Sequence, residues 1–183
     1  MRYTIEIHGH CVRTEVPSRP INFLYGCPGA GKSTLLRKIR DTTAPSLLVA
    51  DASKTELDNE QGTELQTSFV LRNMPALLWE RVLVTVDGRY RIRKGESEYL
   101  PSEALSDGEL RTLRLLHRIV QGEFSMVLLD NPEQHLHCTT QDAVYGWLLE
   151  AHQLTSNCFI VATQSPYIVG VHDDLMVLVG WCT

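Results

Sequence analysis

The sequence predicts an α/β fold. A mostly parallel central sheet is flanked by helices, with an antiparallel N-terminal β portion and a small helical lobe. Three observations predict it. A glycine-rich stretch, Gly26-Cys27-Pro28-Gly29-Ala30-Gly31-Lys32-Ser33-Thr34, lies between a short β-type run from Ile21 to Tyr25 and a helix face carrying Leu35, Leu36 and Ile39. A continuous apolar run from Phe124 to Leu129 ends in Asp130, as a strand covered on both faces would. At the N-terminus Tyr3, Ile5 and Ile7 alternate with Arg2, Thr4 and Glu6, the period of a half-buried strand.

The remaining elements follow in order. Gly9-His10 makes a turn into a second strand carrying Val12 and Val16, which Pro17-Ser18-Arg19-Pro20 breaks before the glycine-rich loop's own strand. After the loop's helix, Pro45 stops regular structure and Leu47 to Ala50 reads as a buried strand. Asp51 to Gly62 is polar and reads as loop. Thr63 to Arg81 has helical spacing at Leu65, Phe69, Leu77 and Leu78, interrupted by Pro75. Asp87-Gly88 between Val82–Val86 and Arg89–Arg93 is a strong hairpin signal. Arg89, Arg91 and Arg93 share one strand face, which reads first as a solvated face and second as a phosphate-contacting or adenine-side surface. No repeat, low-complexity tract or linker breaks the chain, so residues 1–183 are expected to form one domain.

The glycine-rich stretch reads G-x-x-x-x-G-K-S, the phosphate-binding P-loop, so the expected α/β fold is that of a P-loop NTPase. Its glycines let successive N–H groups curl inward into an anion nest, and the following helix adds the positive end of its dipole. Lys32 supplies a point charge for the outer phosphates, and the Ser33 hydroxyl is placed to ligate Mg²⁺. Asp130, at the C-terminal end of its strand, is the expected second Mg²⁺ carboxylate. Gly26 to Thr34 are therefore the candidate nucleotide-binding residues, with Ser33 and Asp130 the candidate metal ligands. ATP and Mg²⁺ are the expected ligands.

Composition bounds the rest. The chain has 183 residues, 43% hydrophobic and 21% charged, with a formal net charge of −5 that argues against nucleic-acid binding by bulk charge. Five scattered cysteines without C-x-x-C fit a reducing cytoplasm better than a disulfide framework. No run is long and apolar enough for a membrane span, so a cytoplasmic protein is expected. His135, His137 and Cys138 lack a second ligand pair and shared geometry, which speaks against zinc.

Three segments carry a resemblance. Asp130-Asn131-Pro132-Glu133-Gln134-His135-Leu136-His137 resembles the D-E-P-E-x-x-L-H segment of ATP-binding-cassette-type ATPases of the SMC/RecF/OLD group. Leu105-Ser106-Asp107-Gly108-Glu109 resembles that group's L-S-x-G-E signature, and Thr163-Gln164-Ser165-Pro166 its T-H-S-P switch. The interval from Ser33 to Leu105 leaves no room for a long coiled-coil insertion, and no nuclease motif is present. The resemblance implies a cassette head that dimerises head-to-tail around ATP. Ser106 and Gly108 would then act across the dimer on the partner's nucleotide, and either Gln61 or Gln66 would serve as a Q-loop glutamine. Independently of the resemblance, Ser106-x-x-Glu109 is a capping box opening a helix with Leu110, Leu113, Leu116 and Val120. That helix also carries Arg111, Arg114 and Arg118 as a stripe, read as a solvated face.

Two positions depart from the group's pattern. Asn131 stands where a glutamate polarises the attacking water, and Gln164 stands where a histidine contacts the γ-phosphate. An amide orients water but accepts no proton. Glu133 is the nearest spare carboxylate. Asn131, Gln164 and Glu133 are the candidate catalytic residues, and slow hydrolysis is expected. The resemblance further implies DNA repair or anti-phage defence beside a separate effector or nuclease protein, with DNA left open as a partner and no membrane. The alternatives are a non-hydrolysing ATP-dependent docking switch, the ATPase subunit of a transporter, and, weakest, a small P-loop kinase.

Overall fold

The computed structural model describes residues 2–7, 10–15, 19–43, 46–49, 62–74, 81–96, 98–122, 124–134, 136–169 and 176–178. Several sequence expectations fall outside them: the turn at Gly9, Val16 at the end of its strand, Ala50, the loop from Asp51 to Gln61, Pro75 to Glu80 and His135.

Strands β1 (Arg2–Ile7) and β2 (His10–Glu15) pair antiparallel, with Ile5 opposite Val12. This is the expected N-terminal β portion. The central sheet has five strands: β3 (Ile21–Tyr25), β4 (Ser46–Val49), β8 (Met126–Asp130), β9 (Cys158–Thr163) and β10 (Met176–Leu178). All pair parallel, in the order β10-β3-β9-β8-β4.

The parallel sheet is apolar because both its faces are covered. Phe23, Val127, Phe159 and Val161 belong to one core cluster, while Leu24, Leu128, Ile160 and Ala162 belong to another. Successive residues of one strand therefore serve opposite faces. Helix α1 (Lys32–Thr42) covers one face with Leu35, Leu36 and Ile39, all fully buried. Helix α4 (Cys138–Thr155) covers the other with Val144, Trp147, Leu148 and Ala151.

A three-stranded antiparallel sheet, β5 (Val82–Val86), β6 (Arg89–Lys94) and β7 (Glu98–Pro101), stands beside it. Asp87 and Gly88 hold positive φ of 52° and 75°, the geometry their hairpin requires, and Val86 pairs with Arg89. Helix α2 runs only from Glu64 to Asn73, shorter than the 63–81 stretch predicted. Helix α3 (Asp107–Ile119) follows a single 3₁₀ turn at Ser102–Ala104. The helical lobe does not have a core of its own: Phe69 and Met74 of α2, Leu83 and Ile92 of the antiparallel sheet, and Leu113 and Leu116 of α3 join the cluster containing Phe23 and Val161. At ~1.5–3 kcal/mol per fully buried large apolar side chain, this shared core ties the lobe to the sheet.

Candidate functional site

The site forms where β3, β8 and β9 end. Because β9 lies between β3 and β8, its C-terminal residues emerge between the glycine-rich loop and Asp130. A cavity of about 290 Å³ is lined there by Pro28, Gly29, Ala30, Gly31, Lys32, Ser33, Thr34, Asn131 and Gln164. Residues far apart in sequence thus converge on one cleft.

The loop is built for an anion. Gly29 and Gly31 have φ of 79° and 87°, a region that an L side chain strains to enter. A Cβ at Gly29 would touch nothing within 4 Å, so conformation rather than space demands glycine there. Gly31 caps α1 without any side-chain hydrogen bond. Helices α2 and α3, by contrast, are closed by full capping boxes at Thr63 and Ser106. The first-turn N–H groups of α1 are left for another acceptor, which is what a phosphate supplies.

Lys32 is only 5% exposed and donates to the carbonyls of Gly26 (2.5 Å) and Cys27 (3.0 Å). Burial lowers its pKa from 10.5, opposed by the charges of Glu133 and Asp130. The Ser33 hydroxyl donates to Asp130 Oδ1 across 3.0 Å, so the two expected metal ligands are adjacent. A hydroxyl and a carboxylate side by side at a phosphate loop are hard oxygen donors of the kind Mg²⁺ takes, and the residues present fit that ion.

Asn131 holds positive φ of 49° and donates its amide N–H to the same Asp130 oxygen at 3.0 Å. Its own Oδ1 is buried with no hydrogen-bond partner among the described residues. Gln164 is exposed at the cleft, and its backbone N–H donates to Glu133 Oε1 at 2.8 Å. Glu133 Oε2 is buried with no hydrogen-bond partner among the described residues. Ser165 binds back through its hydroxyl to Gln141 Oε1 (2.5 Å), and Gln141 Nε2 reaches the Leu136 carbonyl (2.8 Å). The segments after β8 and β9 are therefore joined at two points, which sequence reasoning did not foresee.

Other expected residues sit elsewhere. Ser106 and Gly108 do not line the cleft; they stand at the N-terminus of α3, with Ser106 and Asp107 exposed. Ser106 N–H and Oγ–H both donate to Glu109 Oε2 at 2.8 Å, and Arg81 pairs with Glu109 Oε1 at 2.5 Å. Gln66 is buried in the α2 capping box, its Oε1 accepting from Thr63 N–H and its Nε2 donating to the His117 carbonyl, so it does not reach the cleft. Gln61, the other candidate, lies outside the described residues. Arg111 donates to the Gln134 carbonyl at 3.1 Å and Arg118 to Gln121 at 3.3 Å, so the expected solvated stripe is partly engaged. His137 serves as the cap of α4 through Thr139 N–H. Cys138 and Cys158 are free, while Cys27 is disulfide-bonded. Scattered cysteines carry no record of which sulfurs the fold brings together.

A protein-family model described as "AAA domain, putative AbiEii toxin, Type IV TA system" matches residues 42–170, well over half of the chain. The chain belongs to this AAA-domain family. The match includes Ser106 to Glu109, Asp130 to Glu133 and Gln164; the glycine-rich loop, Gly26 to Thr34, lies upstream of it. The expectation of a P-loop ATPase domain is borne out at that level. Among solved structures, the AAA domain is similar to one titled "Crystal structure of the SmcHead bound to the C-winged helix domain of ScpA", with 16% identity and a TM-score of 0.44. The similarity covers 63% of this chain and 40% of that one, so this AAA domain spans well under two-thirds of the other's length. Among the described residues no helix is long and apolar enough to cross a membrane.

Proposed function

We propose that residues 1–183 act as one ATPase domain that binds ATP with Mg²⁺, pairs head-to-tail with a second copy around the nucleotide, and hydrolyses slowly. The observation that carries this reading is the cleft itself, where an uncapped helix N-terminus, Lys32, the Ser33–Asp130 pair, Asn131 and Gln164 meet in about 290 Å³. Lys32 and the N–H groups of residues 29–34 take the phosphates. Ser33 and Asp130 hold Mg²⁺, which when bound neutralises phosphate charge. Gln164 lies where a γ-phosphate would be met.

Hydrolysis requires water oxygen to bond to the γ-phosphorus, the bond to the β-bridging oxygen to break, and the water proton to leave. Asn131 has no lone pair basic enough to take that proton, and its N–H is already directed at Asp130. Phosphoryl transfer rests mostly on positioning and charge, so turnover is slowed rather than abolished. The exposed N-terminal turn of α3 at Ser106 and Gly108 supports contact with the partner's nucleotide. The same amide substitutions favour one second reading, in which ATP binding drives dimerisation or docking with negligible hydrolysis.

A role in toxin–antitoxin or anti-phage defence, beside a separate effector, accords with the family's description. The deciding experiment is light scattering of the full chain with and without ATP-Mg²⁺. Dimer in the nucleotide sample and loss of it in Lys32→Ala is the expected outcome. A monomer under both conditions removes the composite-site reading.

A further inference from the structure

Three of the six large hydrophobic side chains left exposed among the described residues occupy one place: Val82 at 41%, Val86 at 39% and Tyr99 at 51%. The register explains why. Val82, Val84 and Val86 stand opposite Arg93, Arg91 and Arg89 across β5 and β6, and Tyr99 and Pro101 stand opposite Arg93 and Arg91 across β7. Directly opposed residues share a sheet face. This face thus presents a row of arginines between a row of valines and the Tyr99–Pro101 pair. The other face is spent on the core through Leu83, Tyr90 and Ile92.

Among the described residues the charge on this face is uncompensated. None of Arg89, Arg91 and Arg93 hydrogen-bonds or ion-pairs with a described residue, and no carboxylate lies on the face. On a chain of net charge −5, three unpaired cations on an apolar surface stand out. Arginine and tyrosine on a dry, apolar patch are the side chains that carry binding energy at protein interfaces.

We propose that this face docks an acidic segment of another protein, held extended along β6. Arginines two residues apart on a strand are spaced about 7 Å, the repeat at which an extended peptide presents every second side chain. Carboxylates at alternate positions meet Arg89, Arg91 and Arg93, while their methylenes pack on the valines. A nucleic acid fits less well, because the valine row offers its sugars and phosphates no polar partner.

The test is fluorescence anisotropy of the full chain with a labelled peptide of alternating glutamate and threonine, against a lysine–threonine peptide and oligo(dT). Saturable binding of the acidic peptide alone, weakened by salt and reduced about tenfold or more by Arg91→Glu and by Tyr99→Ala, is expected. Retained nucleotide binding checks that the variants fold, and the exposed Arg93→Ser serves if Arg91→Glu does not. Acidic-peptide binding that is absent or unchanged in the variants overturns the proposal. So does tighter oligo(dT) binding through the same arginines. Lys32→Ala is expected to bind the peptide normally, which separates this surface from the nucleotide cleft.

Discussion

The backbone N–H of Gln164 donates to Glu133 Oε1 across 2.8 Å, joining the segments that follow β9 and β8 at the mouth of the cleft. The carboxylate holding that link has its second oxygen buried without a hydrogen bond to any described residue, and acts on Lys32 by charge. Glu133 therefore places Gln164 relative to the phosphate loop. Glu133→Ala is expected to lower single-turnover hydrolysis about tenfold, with nucleotide affinity little changed, since the link acts on positioning. Glu133→Gln keeps an acceptor and should retain most of that rate. Equal losses in both variants would assign the effect to charge instead.

Asn131→Glu restores a proton acceptor beside the attacking water, and steady-state turnover is expected to rise by about 10²–10⁴-fold. The same change places a carboxylate where an amide N–H now meets Asp130 Oδ1. Like charges so close repel, so the thermal midpoint without metal should fall and Mg²⁺ should recover it. Fast wild-type turnover, unmoved by the substitution, contradicts slow hydrolysis.

The Ser33–Asp130 pair predicts a metal phenotype. Ser33→Ala and Asp130→Asn each remove one hard oxygen donor, and should raise the Mg²⁺ needed for half-maximal ATP binding by about tenfold or more. Metal-free nucleotide binding through Lys32 should persist. A titration of labelled ATP against Mg²⁺ reads both.

Alkaline pH acts on two buried groups with opposite sign. Lys32 has its pKa lowered by burial, so between that value and 10.5 the folded chain has shed a proton the unfolded chain keeps. Stability from this group therefore rises with pH in that window, while nucleotide affinity falls because the phosphates lose their cation. Tyr90 is raised by burial to about 12, so its contribution is complete below 10 and is lost as pH climbs from 10 to 12. Tyr90→Phe should abolish the second effect alone, as denaturant melts across that range will show.

Ser106 caps α3 whether or not it meets a partner's nucleotide. Ser106→Ala should cost about 1 kcal/mol by denaturation as a lost N-cap. Reduced ATP-dependent dimer with unchanged monomer nucleotide binding is the outcome that gives it a role across the interface. Loss of stability alone would leave it structural.

Much of the local structure was legible because it depends on neighbours in the chain. Asp87-Gly88 takes its turn from its own φ preferences, and Ser106-x-x-Glu109 closes a box within one helical turn. Gln66 was misleading for the same reason: a glutamine three residues after Thr63 satisfies a capping box, and that local demand holds it away from the cleft. Helix α2 ends at Asn73 with Met74 still in αR as its C-cap, and Pro75, having no N–H, cannot carry the hydrogen-bond ladder further.

The sequence by itself determined the phosphate loop, since glycine placement, Lys32 and Ser33 act within nine consecutive residues whose backbone geometry is set by short-range sterics. Only the tertiary structure decided what stands opposite that loop. Strand order places β9 between β3 and β8, and so brings Gln164 beside Asn131, Glu133 beside Gln164, and Asp130 against Ser33. It also decided that Cys27 is oxidised and that three arginines share a face with exposed valines. Such meetings depend on which strands pair and in what register, a choice made by burial of the whole core and not by any stretch of it.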